Sequence, residues 1–108
     1  MTNTREVILD ALMEILEKEQ YSHLVMAGVL EKYSFLEKQQ RSFIKRVCEG
    51  TVEQKIRIDY VIDRFSKTKV KKMKPLIRTL IRMGTYQILF MDGVPDAAVC
   101  NESVKLAV

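Results

Sequence analysis

Five lysines fall within the eight residues KTKVKKMK, at Lys67, Lys69, Lys71, Lys72 and Lys74, and Arg41, Lys45 and Arg46 form a second basic group upstream. Cationic side chains at this density are the donors that phosphate contacts need, and affinity built on them is salt-dependent. The plain alternative is that lysines in a loop keep it solvated, and composition alone does not separate the two. A formal net charge of +4 and a pI near 9.1 bias the surface toward phosphates without requiring a nucleic-acid partner.

Residue types that would support catalysis are sparse. The single histidine, His23, follows a helix start with no orienting acid or nucleophile in reach of its sequence neighbourhood, and reads as structural or solvent-exposed. Asp59 and Asp63 are one helical turn apart but flanked by Arg57 and Arg64, which suggests a solvated charged face. Cys48 and Cys100 sit among apolar neighbours outside any CxxC or Cys/His spacing, as reduced thiols filling a core would. No glycine-rich phosphate loop, HExxH or GxSxG is present. The chain is therefore expected to be non-catalytic, with no metal and no cofactor. Its N-terminus lacks a basic stretch leading into a long apolar run, and its apolar stretches are far shorter than the ~20 residues that cross a bilayer, so a soluble, cytoplasmic domain without membrane contact is expected.

The elements that would position these groups are helices. At 108 residues, 47% hydrophobic, with four Gly and two Pro, the chain suits one all-α domain with a real core. Asn3 with Glu6 reads as a capping box, and Val7, Ile8, Ala11, Leu12, Ile15 and Leu16 form one face of a helix over 3–19, with Glu14, Glu17, Lys18 and Glu19 outside. Ser22 is the next N-cap candidate, opening a helix over 22–33 that is apolar nearly all round and hence expected to be buried. Gly28 within it suggests close approach of another helix. From 37 to 66 the stripe Ile44, Val47, Cys48, Thr51, Ile58, Ile62 and Phe65 keeps its phase across Gly50, which favours one long helix, bent at that glycine, over two helices. Pro75 suits the first turn of a helix over 75–91. Asp92-Gly93 and Pro95 end it, and a last helix over 96–108 stops in mid-pattern at Val108, as a fragment boundary would.

From Ile77 the chain reads IRTLIRMGTYQILFMDGVPDAAVCNESVKLA, and this resembles the most recognisable stretch of the NusB family. The family elements are an Arg-x-x-x-Arg helix, Tyr-Gln, an acidic residue, an apolar residue and Pro, and then Asn-Glu opening an apolar helix. Here they stand at Arg78, Arg82, Tyr86, Gln87, Asp92, Val94, Pro95, Asn101 and Glu102. Upstream, FIKRVCEGT followed by IDYVI is similar to the family's long central helix, so the resemblance covers nearly the whole chain. It implies a NusB-like helical bundle, of about five helices here, lacking the family's last helices.

Two branches share that fold. One comprises transcription antitermination factors that bind leader RNA with a ribosomal protein. The other is the N-terminal domain of the S-adenosylmethionine-dependent methyltransferases that make 5-methylcytosine in small-subunit ribosomal RNA. YSHLVMAGVL and PDAAVCNESVKLA are more similar to the methyltransferase branch, and Arg5 is the only basic residue where antitermination factors have an Arg-rich first helix. The resemblance thus implies an RNA-binding domain over 1–108 that positions ribosomal RNA for a catalytic domain of a longer parent chain. The antitermination factor is the alternative, and a scaffold without RNA affinity is a third reading. Residues expected to touch RNA are Arg5, Arg41, Lys45, Arg46, Lys67, Lys69, Lys71, Lys72 and Lys74. Arg78 or Arg82 is expected to pair with Glu102. Val99, Val104, Leu106 and Val108, if left uncovered, are expected to drive homodimerisation.

Overall fold

The computed structural model describes residues 3–91, and among them every regular element is helical and no strand occurs. Helix α1 covers Thr4–Leu12 and continues into a π turn, Met13–Glu17; α2 is Ser22–Lys32, α3 Lys38–Glu53, α4 Lys55–Phe65 and α5 Pro75–Phe90, with a 3-10 turn, Val70–Lys72, leading into α5. The all-α expectation holds. The helix expected over 96–108 lies outside the described residues.

The core forms where α1, α3 and α5 pack on one another, with α4 against α5. Ile8 and Leu12 of α1, Ile44, Val47 and Cys48 of α3, Ile58 of α4 and Met83 of α5 are fully buried. Burying a side chain of this size contributes roughly 1.5–3 kcal/mol.

Asn3 caps α1, its Oδ1 accepting the N–H groups of Arg5 (3.0 Å) and Glu6 (3.3 Å). At the other end the Lys18 N–H reaches back five residues to the Met13 carbonyl (3.1 Å), closing the π turn. Such a turn absorbs one extra residue and so shifts the face that follows. Glu17, expected on the exposed side, is instead turned inward, with its side chain 11% exposed. Glu19, just beyond the Lys18 cap of this element, adopts φ 56°, the left-handed region. That conformation costs a non-glycine residue roughly 1–2 kcal/mol. Glu19→Gly is therefore expected to stabilise the fold by about 1 kcal/mol in urea denaturation, and a loss of stability would show that Glu19 does more there than turn the chain.

Two expectations for α2 are corrected. Ser22 is the first helical residue, with Tyr21 at the N-cap. The helix is not buried all round: Met26 is its one buried residue, Leu24 is 61% exposed, and a Cβ on Gly28 would meet nothing within 4 Å. Apolar composition on every side gave no direction here, and the helix covers α1 and α3 with one face only.

The single helix expected over 37–66 is two, and the bend is not at the glycine. It falls at Gln54 (φ −96°, ψ 13°), which leaves the α-helical region while its N–H still donates to the Gly50 carbonyl and its carbonyl still accepts from Ile58, both at 2.9 Å. The apolar phase survives because those two bonds carry the register across the bend. Gly50 serves packing instead, since a Cβ there would overlap the Tyr86 ring of α5. Ile44, Val47, Cys48, Thr51, Ile58 and Ile62 are buried as the stripe requires, but Phe65, at the end of α4, is 81% exposed.

Helix α5 begins at Pro75, as expected. Its inner face is partly polar: Thr79, Arg82 and Gln87 are buried beside Leu80, Met83, Gly84 and Tyr86. Each polar group has a partner close by. Thr79 Oγ1 donates to the Pro75 carbonyl (2.7 Å) and Gln87 Nε2 to the Met83 carbonyl (3.1 Å).

Candidate nucleic-acid interface

Arg78 and Arg82, one turn apart on α5, meet two carboxylates from other helices. Arg78 forks onto Glu17, with Nε donating to Oε2 at 2.8 Å and Nη2 to Oε1. Arg82 forks onto Asp59 of α4, Nε to Oδ1 at 2.8 Å and Nη2 to Oδ2 at 3.0 Å, and also approaches Glu17 at 3.4 Å. Paired forks fix orientation as well as charge. The hydrogen bond from Arg78, then the charges of Arg78, Arg82 and Lys55, hold the Glu17 carboxyl below its ordinary range against the upward pull of burial. Hydrogen bonding to Glu17 in turn raises Arg78. The expected partner Glu102 lies outside the described residues. The reading of Asp59 and Asp63 as a solvated face is corrected: both carboxylates are engaged by the fold, and not by Arg57 or Arg64.

This network anchors the basic connector. Val70 is buried, its N–H donates to Asp63 Oδ1 (2.7 Å), and Lys69 Nζ donates to the Asp63 carbonyl (3.1 Å). Arg78 Nη1 reaches the carbonyls of Lys71 and Met73, both at 3.5 Å. The backbone of the lysine-rich stretch is thus held from α4 and α5, while Lys67, Lys69, Lys71, Lys72 and Lys74 are exposed. A cleft of about 310 Å³ opens beside it, lined by the ion pairs together with Lys55 and Lys71.

The other basic group is elsewhere. Arg5 of α1 lies over the Phe43 ring of α3, 5.5 Å from its centroid, and donates through Nη2 to Gln87 Oε1 (3.4 Å). Part of its guanidinium is therefore spent inside the bundle. Arg41 donates through Nε to the Leu36 carbonyl (3.1 Å), and Lys45 and Arg46 are exposed. Arg78 and Gln87 mark the two ends of α5, about 14 Å apart at the helical rise. Arg5 thus sits toward the C-terminal end of α5 and the lysine turn toward its N-terminal end.

Motif residues Arg78, Arg82, Tyr86 and Gln87 are structural in this arrangement, holding α5 to α1, α3 and α4. Asp92, Val94, Pro95, Asn101 and Glu102 lie outside the described residues, as do Cys100 and the residues expected to drive dimerisation. Cys48 is fully buried, and burial, with the Glu49 charge adding, pushes its thiol up to about 12, so it remains protonated and inert. His23 is exposed. Among the described residues no group of acids, Cys and His could hold a metal ion, and no helix is long and apolar enough to cross a membrane.

Glu17 and Asp59 are the residues that sequence reasoning missed. The signal for Asp59 was present: a carboxylate one position after the stripe residue Ile58 borders the buried face. Glu17 carried no such signal, because its inward turn depends on the π turn.

The chain matches the NusB family over residues 2–108. It is 32% identical over 106 residues to "Probable ribosomal RNA small subunit methyltransferase B" of Bacillus subtilis (strain 168), an alignment covering 98% of this chain and 23% of that protein. A protein of the same description from Synechocystis is 26% identical, with 99% of this chain and 24% of that protein covered. "Transcription antitermination protein NusB" of Clostridium novyi (strain NT) is 27% identical over 96% of this chain and 80% of its own length. The chain thus spans about a quarter of the methyltransferase relatives and most of the antitermination relative. No solved structure matches it. With the family matched across all of α1–α5 and the arginine motif seen to tie the bundle together, the chain belongs to the NusB family.

Proposed function

We propose that this chain is an RNA-binding domain that helps position small-subunit ribosomal RNA for a 5-methylcytosine methyltransferase domain, without itself contributing catalytic groups. The observation that carries the RNA reading is the lysine turn. Five lysines are exposed on a backbone tied to α4 and α5, with Lys69 reaching back to the Asp63 carbonyl, so the cations are displayed from an anchored turn rather than on a freely moving loop. Pre-set donors lose less freedom on meeting phosphates than mobile ones do. The similarity to the Bacillus subtilis methyltransferase, over 98% of the chain, supports ribosomal RNA as the target and a cytoplasmic setting. The methyl donor and catalytic cysteines would belong to a different domain of such a protein.

A second reading has its own support. The Clostridium novyi antitermination protein is covered over 80% of its length, which favours a factor acting on leader RNA with a ribosomal protein. Binding measured side by side separates the two. The first reading expects tighter binding to fragments of small-subunit ribosomal RNA than to an antitermination leader, and the second expects the reverse. In either case Lys71→Glu with Lys72→Glu should weaken binding and flatten its salt dependence by about 1.4 in log–log slope, at about 0.7 per single-strand phosphate contact. Unchanged affinity and slope in that variant would remove the lysine turn from the interface.

A further inference from the structure

Helix α4 keeps its arginines apart from its carboxylates, while its one lysine, Lys55, stays with the carboxylates and pairs with Asp59 at 3.5 Å. Its carboxylates are committed inward: Asp59 to the Arg82 fork, and Asp63 to the Val70 N–H at 2.7 Å. Its arginines are not. Arg57 and Arg64 are exposed, on the side that also presents Ile56 (86% exposed) and Tyr60 (64% exposed). Positions 56, 60 and 64 recur at helical spacing and position 57 lies beside them, so the four side chains form one face. Arg64 Nη1 donates to the Tyr60 hydroxyl at 3.5 Å, which keeps a guanidinium at the edge of the ring. At its C-terminal end the helix leads directly into Lys67 and Lys69. Glu53, exposed on the last turn of α3, borders the other end across the Gln54 bend.

From this segregation we infer that the outer face of α4 extends the lysine turn into a track for unpaired RNA, with Tyr60 as the platform on which a base stacks and Arg57 and Arg64 as phosphate contacts. The inference rests on the RNA-binding reading above and adds a ligand class to it. Lysines alone would accept any phosphate backbone, paired or not. An exposed tyrosine between two arginines offers a π-face that only a base free of its own stack can use, and such stacking tolerates sequence. The exposed Ile56 continues the apolar surface beside the ring, and the Asp59 charge is neutralised by Arg82 and Lys55 on the inner side.

The test is fluorescence anisotropy of the full chain with a labelled single-stranded fragment of small-subunit ribosomal RNA, and with a blunt duplex of the same sequence. Tyr60→Ala should bind the single strand about tenfold more weakly with an unchanged salt slope, because stacking releases no counterions. Tyr60→Phe should bind as the natural chain does. Arg57→Gln with Arg64→Gln should flatten the slope by about 1.4. Duplex binding should not respond to Tyr60→Ala. Tyr60 is exposed and supports no core contact, so its variants keep the fold. If Tyr60→Ala binds the single strand like the natural chain while Lys71→Glu with Lys72→Glu weakens it, the track is wrong, the RNA reading stands, and the α4 face is left for a protein. If the natural chain binds neither RNA, both fail together.

Discussion

Arg82→Ala should destabilise the fold by about 3–5 kcal/mol, nearer the lower figure because Arg78 still neutralises Glu17. Arg82 has a side chain only 6% exposed, and its removal leaves Asp59 (21% exposed) with Lys55, at 3.5 Å, in place of its forked partner. Taking one member out of such a pair leaves the other charge partly desolvated, and the half-exposed Lys55 compensates Asp59 only in part, which keeps the loss large. For a domain of this size the thermal midpoint should fall by more than about 12 °C. Arg82→Lys should recover only part of the loss, since an ammonium keeps the charge but cannot reproduce the fork. Lys18→Ala, which breaks an exposed pair with Glu14, should change stability by no more than about 0.5 kcal/mol. A loss below about 1 kcal/mol for Arg82→Ala would mean that the network does not hold α4 and α1 to α5.

The second large effect is a change of sign between two identical substitutions. Gly28→Ala should stabilise by about 0.5–1 kcal/mol, because alanine is the better helix former and the added methyl meets nothing within 4 Å. Gly50→Ala gains the same propensity, yet its methyl would occupy the space of the buried Tyr86 ring. Overpacking of this kind costs about 1–3 kcal/mol, and here the neighbour is an aromatic ring near the end of α5 with little room to retreat. A net loss of about 1 kcal/mol in urea denaturation is expected. If Gly50→Ala were as stabilising as Gly28→Ala, α3 and α5 could not be as close as the structure has them.

These two glycines also show how far the sequence could be read. Periodicity identified the helical class, Pro75 and Asn3 marked helix starts, and the buried stripe of α3 and α4 was correct apart from Phe65. Periodicity reports which face is apolar but not what lies opposite it. Hence Gly28 was credited with a helix contact that belongs to Gly50, and the bend was attached to Gly50 although it occurs at Gln54, whose side chain carries no such signal. The same limit applies to charge. Glu17 read as solvated because nothing local says that a π turn will draw a carboxylate inward, and Asp59, although it borders the buried stripe, gave no sign of the arginine it would meet on α5. The lysine turn was visible as composition, whereas its anchoring by Asp63, Val70 and Arg78 required the fold.

The central claim is that the lysine turn is an RNA contact, and the salt dependence of RNA binding tests it most directly. With five lysines at about 0.7 each, the log–log slope of affinity against salt should be about −3 or steeper for a single-stranded ribosomal RNA fragment. Replacing Lys67, Lys69, Lys71, Lys72 and Lys74 with glutamine should flatten that slope by about 3.5 while leaving the thermal midpoint nearly unchanged, since all five side chains are exposed and only Lys69 bonds to the fold, through the Asp63 carbonyl. A natural chain whose RNA affinity is flat in salt, or a glutamine variant that keeps the full slope, would contradict the claim.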